Sequence, residues 1–121
     1  MVKAVFDTNI LIDFLRGRPE AKRELECYDD RAISVLTWME VMVGTTPATN
    51  STTRAFLSDF EVIPLGESVA ETAVELRRLH RMKMPDAIIW ASAKRNGRLL
   101  VTRDTKGFPL DDPGVREPYT F

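Results

Sequence analysis

Four short apolar stretches punctuate this chain and constrain its fold more than any other feature. They are residues 3–6 (KAVF), 31–36 (RAISVL), 61–65 (EVIPL) and 99–102 (LLVT). Each is apolar at consecutive rather than alternate positions, the pattern of a strand buried on both faces of a parallel sheet. Helical patterns fill the intervals. After Thr8, residues Ile10, Leu11, Phe14 and Leu15 recur at helical spacing until Gly17 and Pro19 stop the helix. Residues 19–27 read as a second, polar helix, and 37–43 as a third ended by Gly44. Residues 45–53, polar and small, read as a loop or hinge, with a helix following to about Phe60. A long helix is expected over 68–82 and another over 85–96, the latter closed by Gly97. Pro64 lacks a backbone donor, which places the third strand at a sheet edge. A short fifth strand is expected within 115–119. Alternating strands and helices define an α/β fold on a mostly parallel sheet.

A chain of 121 residues suits one domain spanning 1–121, and 44% hydrophobic residues allow a core without staples. Lys and Arg number 17 against 18 Asp and Glu, a net charge of −1. That balance neither announces nor excludes a nucleic-acid binder, because local patches matter more than totals. The single cysteine, Cys27, excludes an intrachain disulfide and multi-cysteine zinc, and points to a reducing cytosol. No signal-peptide pattern or membrane-length apolar run occurs, so a cytoplasmic protein is expected.

Ligand sites of open α/β sheets lie beyond the carboxyl ends of the strands. Asp7 follows the first strand, Glu40 lies in the first turn of the helix after the second, and Asp104 follows the fourth. Asp86 opens the helix that feeds the fourth strand. Each acid has a structural explanation by itself. Asp7 can cap a helix, Thr37 and Glu40 have the form of a capping box, Asp86 suits a helix start, and Asp104 suits a turn. Capping, however, does not require four acids to meet at one edge of a sheet. Carboxylates gathered there repel unless a cation neutralises them, and oxygen ligands with room for water suit Mg²⁺ or Mn²⁺.

The stretches "VFDTNILIDFL", "TWMEV", "MPDAIIWASA" and "LLVTRDTKGF" resemble, in order and spacing, the successive motifs of the PIN-domain nucleases. The likeness is greatest to the VapC-type toxins of bacterial toxin–antitoxin pairs and covers nearly the whole chain. The resemblance implies a three-layer α/β/α sandwich on a parallel sheet of about five strands. It also implies a metal-dependent endoribonuclease, a homodimer, and inhibition by a cognate antitoxin. Carried over by motif, Asp7, Glu40 and Asp86 match the metal-binding acids, and Asn9 and Thr102 the supporting polar positions. The last motif departs from the commonest pattern, which has Asn in place of Asp104 and an acid just before the Phe. Here Gly107 precedes Phe108. The fourth acidic role therefore falls to Asp104, with Asp111 or Asp112 as substitutes, and Gly107 is expected to have no direct role.

Arg103 lies inside the last motif and is the basic residue expected to touch substrate phosphate. Arg77, Arg78, Arg81 and Lys83 crowd the end of the long helix, where the dipole favours cations and where RNA backbone could also be bound. Trp38, Met39 and Trp90 read as core or subunit contacts. Neither a catalytic triad nor a Gly-rich phosphate loop is present. Two other readings compete with the nuclease. One is a receiver-like Mg²⁺-binding signalling module, which needs an acid after its third strand, where this chain has Gly66-Glu67. The other is a PIN-fold binding protein without activity.

Overall fold

The computed structural model describes residues 2–104 and 106–121. In chain order its elements are β1 (Ala4–Phe6), α1 (Thr8–Leu15), α2 (Pro19–Glu26), β2 (Arg31–Ser34), α3 (Val35–Val43) and α4 (Asn50–Leu57). They continue with β3 (Glu61–Ile63), α5 (Glu67–His80), α6 (Met84–Arg95), β4 (Leu99–Val101) and β5 (Val115–Arg116). The strands form one five-stranded sheet in the order β3-β2-β1-β4-β5. All its pairings are parallel, with Ala4 opposite Arg31 on one side and Leu99 on the other.

This order explains the layering. The chain first steps outward from β1 to β2 to β3, then crosses back to place β4 on the other side of β1. Parallel crossovers are right-handed, so reversing direction sends the connecting helices to the opposite face. Side chains on successive strand positions divide accordingly. Val5, Ala32 and Leu100 pack with Val69, Ala73, Leu76, Ile89 and Trp90 of α5 and α6. Ala4, Phe6, Ile33 and Val101 pack with Ile10, Leu11, Leu25, Val41 and Leu57 of α1 to α4. The result is a helix–sheet–helix sandwich with two cores, in which each fully buried Leu, Ile or Phe contributes about 1.5–3 kcal/mol. No helix among the described residues is long and apolar enough to cross a membrane.

Several element boundaries differ from those expected, among them these three. The second strand ends at Ser34, not Leu36, because the Ser34 hydroxyl accepts from Leu36 N at 3.1 Å and caps α3. The region 45–53 is a loop only to Thr49, since α4 starts at Asn50. The third strand stops at Ile63, one residue before Pro64, and lies at the sheet edge as the proline requires. At the amino edge, the Arg98 guanidinium bonds Asp30 Oδ1 at 2.8 Å and also Glu61, tying the starts of three strands together.

Candidate active site

The switch from outward to returning strands falls between β1 and β4, and a cleft at their carboxyl ends follows from it. Asp7 stands there. Its backbone N–H donates to Val101 O at 2.9 Å, extending the β1–β4 ladder by one bond, and the next residue begins α1. The residue is only 6% exposed. Its Oδ1 accepts from Thr8 N at 2.8 Å, and its Oδ2 accepts from the Thr102 hydroxyl at 2.7 Å and Asn9 Nδ2 at 3.2 Å. Thr102, fully buried, also accepts from Asp104 N at 3.0 Å. Asn9 Oδ1 accepts from Arg103 N at 3.2 Å. One hydroxyl thus couples Asp7 to the backbone of Asp104, and one amide ties α1 to the end of β4.

Glu40 reaches the start of α1 from α3. Because α3 starts at Val35, Glu40 lies in its second turn, not its first, and Thr37 is inside the helix rather than its cap. The capping-box reading is therefore replaced by a contact between helices. The Thr8 hydroxyl donates to Glu40 Oε1 at 2.7 Å and lies 3.0 Å from the hydroxyl of buried Thr37. Asp86 sits in the first turn of α6, after Pro85. Asp104 folds back on its own loop, where its Oδ1 accepts from the backbone N–H of Lys106 and of Gly107, each at 3.0 Å.

Gly107 is not a bystander. A Cβ there would lie 2.4 Å from Asp104 Oδ2 and 2.9 Å from Asp86 Oδ2. Two carboxylates therefore crowd the space that any side chain at 107 would fill, and Asp104 reaches this place only because position 107 is glycine. Gly107 thus bears on the site indirectly, by leaving room for the Asp104 carboxylate.

The electrostatics bind the group together. Burial pushes the Asp7 carboxyl up to about 6; the bonds from Thr102 and Thr8 oppose the shift, and the charges of Asp86 and Asp104 add to it. Asp86 is also raised, first by burial and then by Asp104 and Glu40, against the pull of Lys83. Among the described residues none of the four acids is in a salt bridge. Nor, among those residues, do three His, Cys, Asp or Glu side chains converge closely enough to hold one ion unaided. This is a loose set of oxygen donors, partly open, with Lys83 as a nearby countercharge for Asp86 but no ion pair among the described residues. That donor set fits a hydrated divalent cation, since Mg²⁺ keeps several waters and takes one or two carboxylates directly.

Other expected residues are elsewhere. The Arg103 guanidinium is bidentate on Asp13, with Nε and Nη2 bonds of 2.8 and 3.0 Å, and Asp13 accepts from the Tyr119 hydroxyl at 2.9 Å as well. Only its Nη1 has no protein acceptor among the described residues. Asp112 pairs with Lys94 at 3.7 Å, near the far end of α6. Eight residues separate Lys94 from Asp86, about 12 Å along a helix. Asp111 is exposed, and Trp90 is core. Asp13 supports the site without having been singled out, the sequence reads Thr37 only as part of a capping box, and Gly107 is expected there to have no direct role. Two of them had a signal: Asp13 is four residues beyond Asn9, and Thr37 three before Glu40, hence on shared helix faces.

A family model described as the PIN domain matches residues 4–110, and the chain belongs to that family. Among solved structures it is similar to a chain of a toxin–antitoxin complex from Klebsiella pneumoniae. The two are 47% identical over 98% of this chain and 100% of that one, with a TM-score of 0.94. DNA-bound VapBC from Salmonella typhimurium gives 26% identity over 96% of each chain and a TM-score of 0.79. VapBC-5 from Mycobacterium tuberculosis gives 25% identity over 96% of this chain and 97% of that one, with a TM-score of 0.66. No curated protein matches.

Proposed function

We propose that this chain is a metal-dependent endoribonuclease of the VapC type, the toxin of a toxin–antitoxin pair. The carrying observation is that Asp7, Glu40, Asp86 and Asp104 lie near the β1–β4 switch point, close enough for repulsion among them to help raise Asp7 and Asp86, and that none of the four is in a salt bridge among the described residues. Its PIN-family membership and its likeness to chains of toxin–antitoxin complexes support the same reading. The receiver alternative finds no support, because β3, which would carry its phospho-acceptor, is at the sheet edge.

Asp7, Asp86, Glu40 and Asp104 would hold Mg²⁺ or Mn²⁺, directly or through water. A bound divalent ion supplies positive charge to the phosphodiester oxygens and lowers the pKa of water at the site. The chain's own residues do the rest. Thr102 and Asn9 fix the rotamer of Asp7, and Thr8 fixes Glu40. Asp7 has neutral donors only, so its negative charge remains available to the cation. Arg103 contacts substrate phosphate with Nη1, while Nε and one N–H of Nη2 hold Asp13. The cognate antitoxin inhibits by occluding the acidic groove. The protein works in the cytoplasm as a homodimer.

Mn²⁺ titration and RNA cleavage by Asp7→Asn and Asp86→Asn test the proposal. Both variants should fold and both should lose Mn²⁺ affinity and cleavage. Variants that cleave RNA like wild type sink it. A wild type that binds Mn²⁺ but does not turn over RNA favours the inactive binding protein instead.

A further inference from the structure

A cavity of about 410 Å³ opens beside the acids, lined by Asp86, Asp104 and Gly107 and by Arg81, Lys83 and Lys106. Two of these cations stand on a fixed link. Met82 is buried and its carbonyl accepts from Arg77 Nη1 at 3.0 Å, which pins the link between α5 and α6 from both sides. Arg81 and Lys83 flank this anchor and are exposed. Arg81 caps α5 in the left-handed conformation, with φ of 53°, the only non-glycine positive φ among the described residues. Glycine serves that backbone role with less strain. A strained arginine beside a cleft of acids points to work done by its side chain.

A single-stranded nucleic acid threaded past the acids needs countercharge for the phosphates flanking the one attacked, and the four carboxylates oppose it. The pocket's cations answer that need on one side. We propose that this cavity seats the phosphate next to the scissile one along the RNA strand, held by Arg81, Lys83 and Lys106. The proposal rests on the nuclease reading and adds a direction to it: the strand leaves the acids along the α5–α6 link.

The test is binding of a short single-stranded RNA to the full chain, with Ca²⁺ in place of Mn²⁺, over a range of salt. Arg81→Gly removes the guanidinium and relieves the backbone, so it keeps the fold. Lys83→Gln and Lys106→Gln remove charge at exposed positions. Each should weaken RNA binding by about fivefold. Each should also lower the slope of log affinity against log salt by about 0.7, the value for one phosphate contact on a single strand. Mn²⁺ affinity measured without RNA should be equal or tighter, because a neighbouring cation has gone. RNA affinity and salt slope unchanged in Arg81→Gly and Lys83→Gln, with wild type cutting RNA, overturn this proposal alone. A wild type that neither binds nor cuts RNA overturns the nuclease reading and this proposal with it.

Discussion

Asp7 is the residue on which burial and charge act in opposite directions. Its neutral form is favoured by burial, yet a metal site needs it ionised. With a folded pKa of about 6 against an ordinary value of 3.8, the folded state binds its proton more tightly than the unfolded state does. The stability this group provides is complete below its unfolded pKa and is lost as pH rises through about 6. In the metal-free protein at neutral pH the ionised Asp7 therefore costs on the order of 2–3 kcal/mol. Asp7→Asn should raise the melting temperature of the metal-free protein at pH 7.5, and the gain should shrink towards pH 4. A melting temperature lowered at both pH values would mean that Asp7 serves mainly as a helix cap. Gly107 is the second test at this scale. In Gly107→Ala the new Cβ displaces the Asp104 carboxylate, so Mn²⁺ affinity should fall as it does in Asp104→Asn, whereas Asp112→Asn should bind like wild type. Unchanged Mn²⁺ binding in Gly107→Ala would contradict the assignment of the fourth acid.

At the scale of elements, α1 is the hub. It carries Asn9 to Thr102, Thr8 to Glu40, and Asp13 to Arg103 and Tyr119. Asp13 is 3% exposed, so removing its bidentate partner leaves a buried carboxylate held by Tyr119 alone. Arg103→Ala should therefore destabilise the protein by roughly 2–3 kcal/mol, measured by urea unfolding, whatever it does to RNA binding. An Arg103→Ala protein as stable as wild type, with weakened RNA affinity, would restore the purely phosphate-binding role. These contacts also mark where the sequence is legible. Unbroken apolar runs show where β1 to β4 lie, and Pro64 puts β3 at an edge, because burial and backbone donors act locally. The acids at strand ends could be paired with a site for the same reason. Ser34 ending β2 early could not be seen, since a serine cap competes with an apolar strand on equal local terms. The Asp13–Arg103 pair and the role of Gly107 join residues 90 and three positions apart, and only tertiary packing reveals which atoms they meet.

For the whole molecule, the site belongs to both helical layers. Asp7, Asn9 and Glu40 come from one face of the sheet, Asp86 from the other, and Thr102 with Asp104 from the strand end between them. A ligand held across that junction must stabilise the complete fold. Mn²⁺ at a hundred times its dissociation constant should add about 2.7 kcal/mol to unfolding, and Asp86→Asn should remove this gain. Exposed Val74 and Leu79 on α5 leave apolar surface for a second subunit, and sedimentation at micromolar concentration should give a dimer; a monomer alone would refute it. We propose that the four acids make this chain a metal-dependent ribonuclease. The most direct test is cleavage of single-stranded RNA by the purified protein with Mn²⁺, then with excess chelator, then with Mn²⁺ restored. Cleavage that appears, stops and returns in that order, and is absent throughout in Asp7→Asn, is the predicted result. Cleavage that persists in chelator, or equal cleavage by Asp7→Asn, would contradict the account.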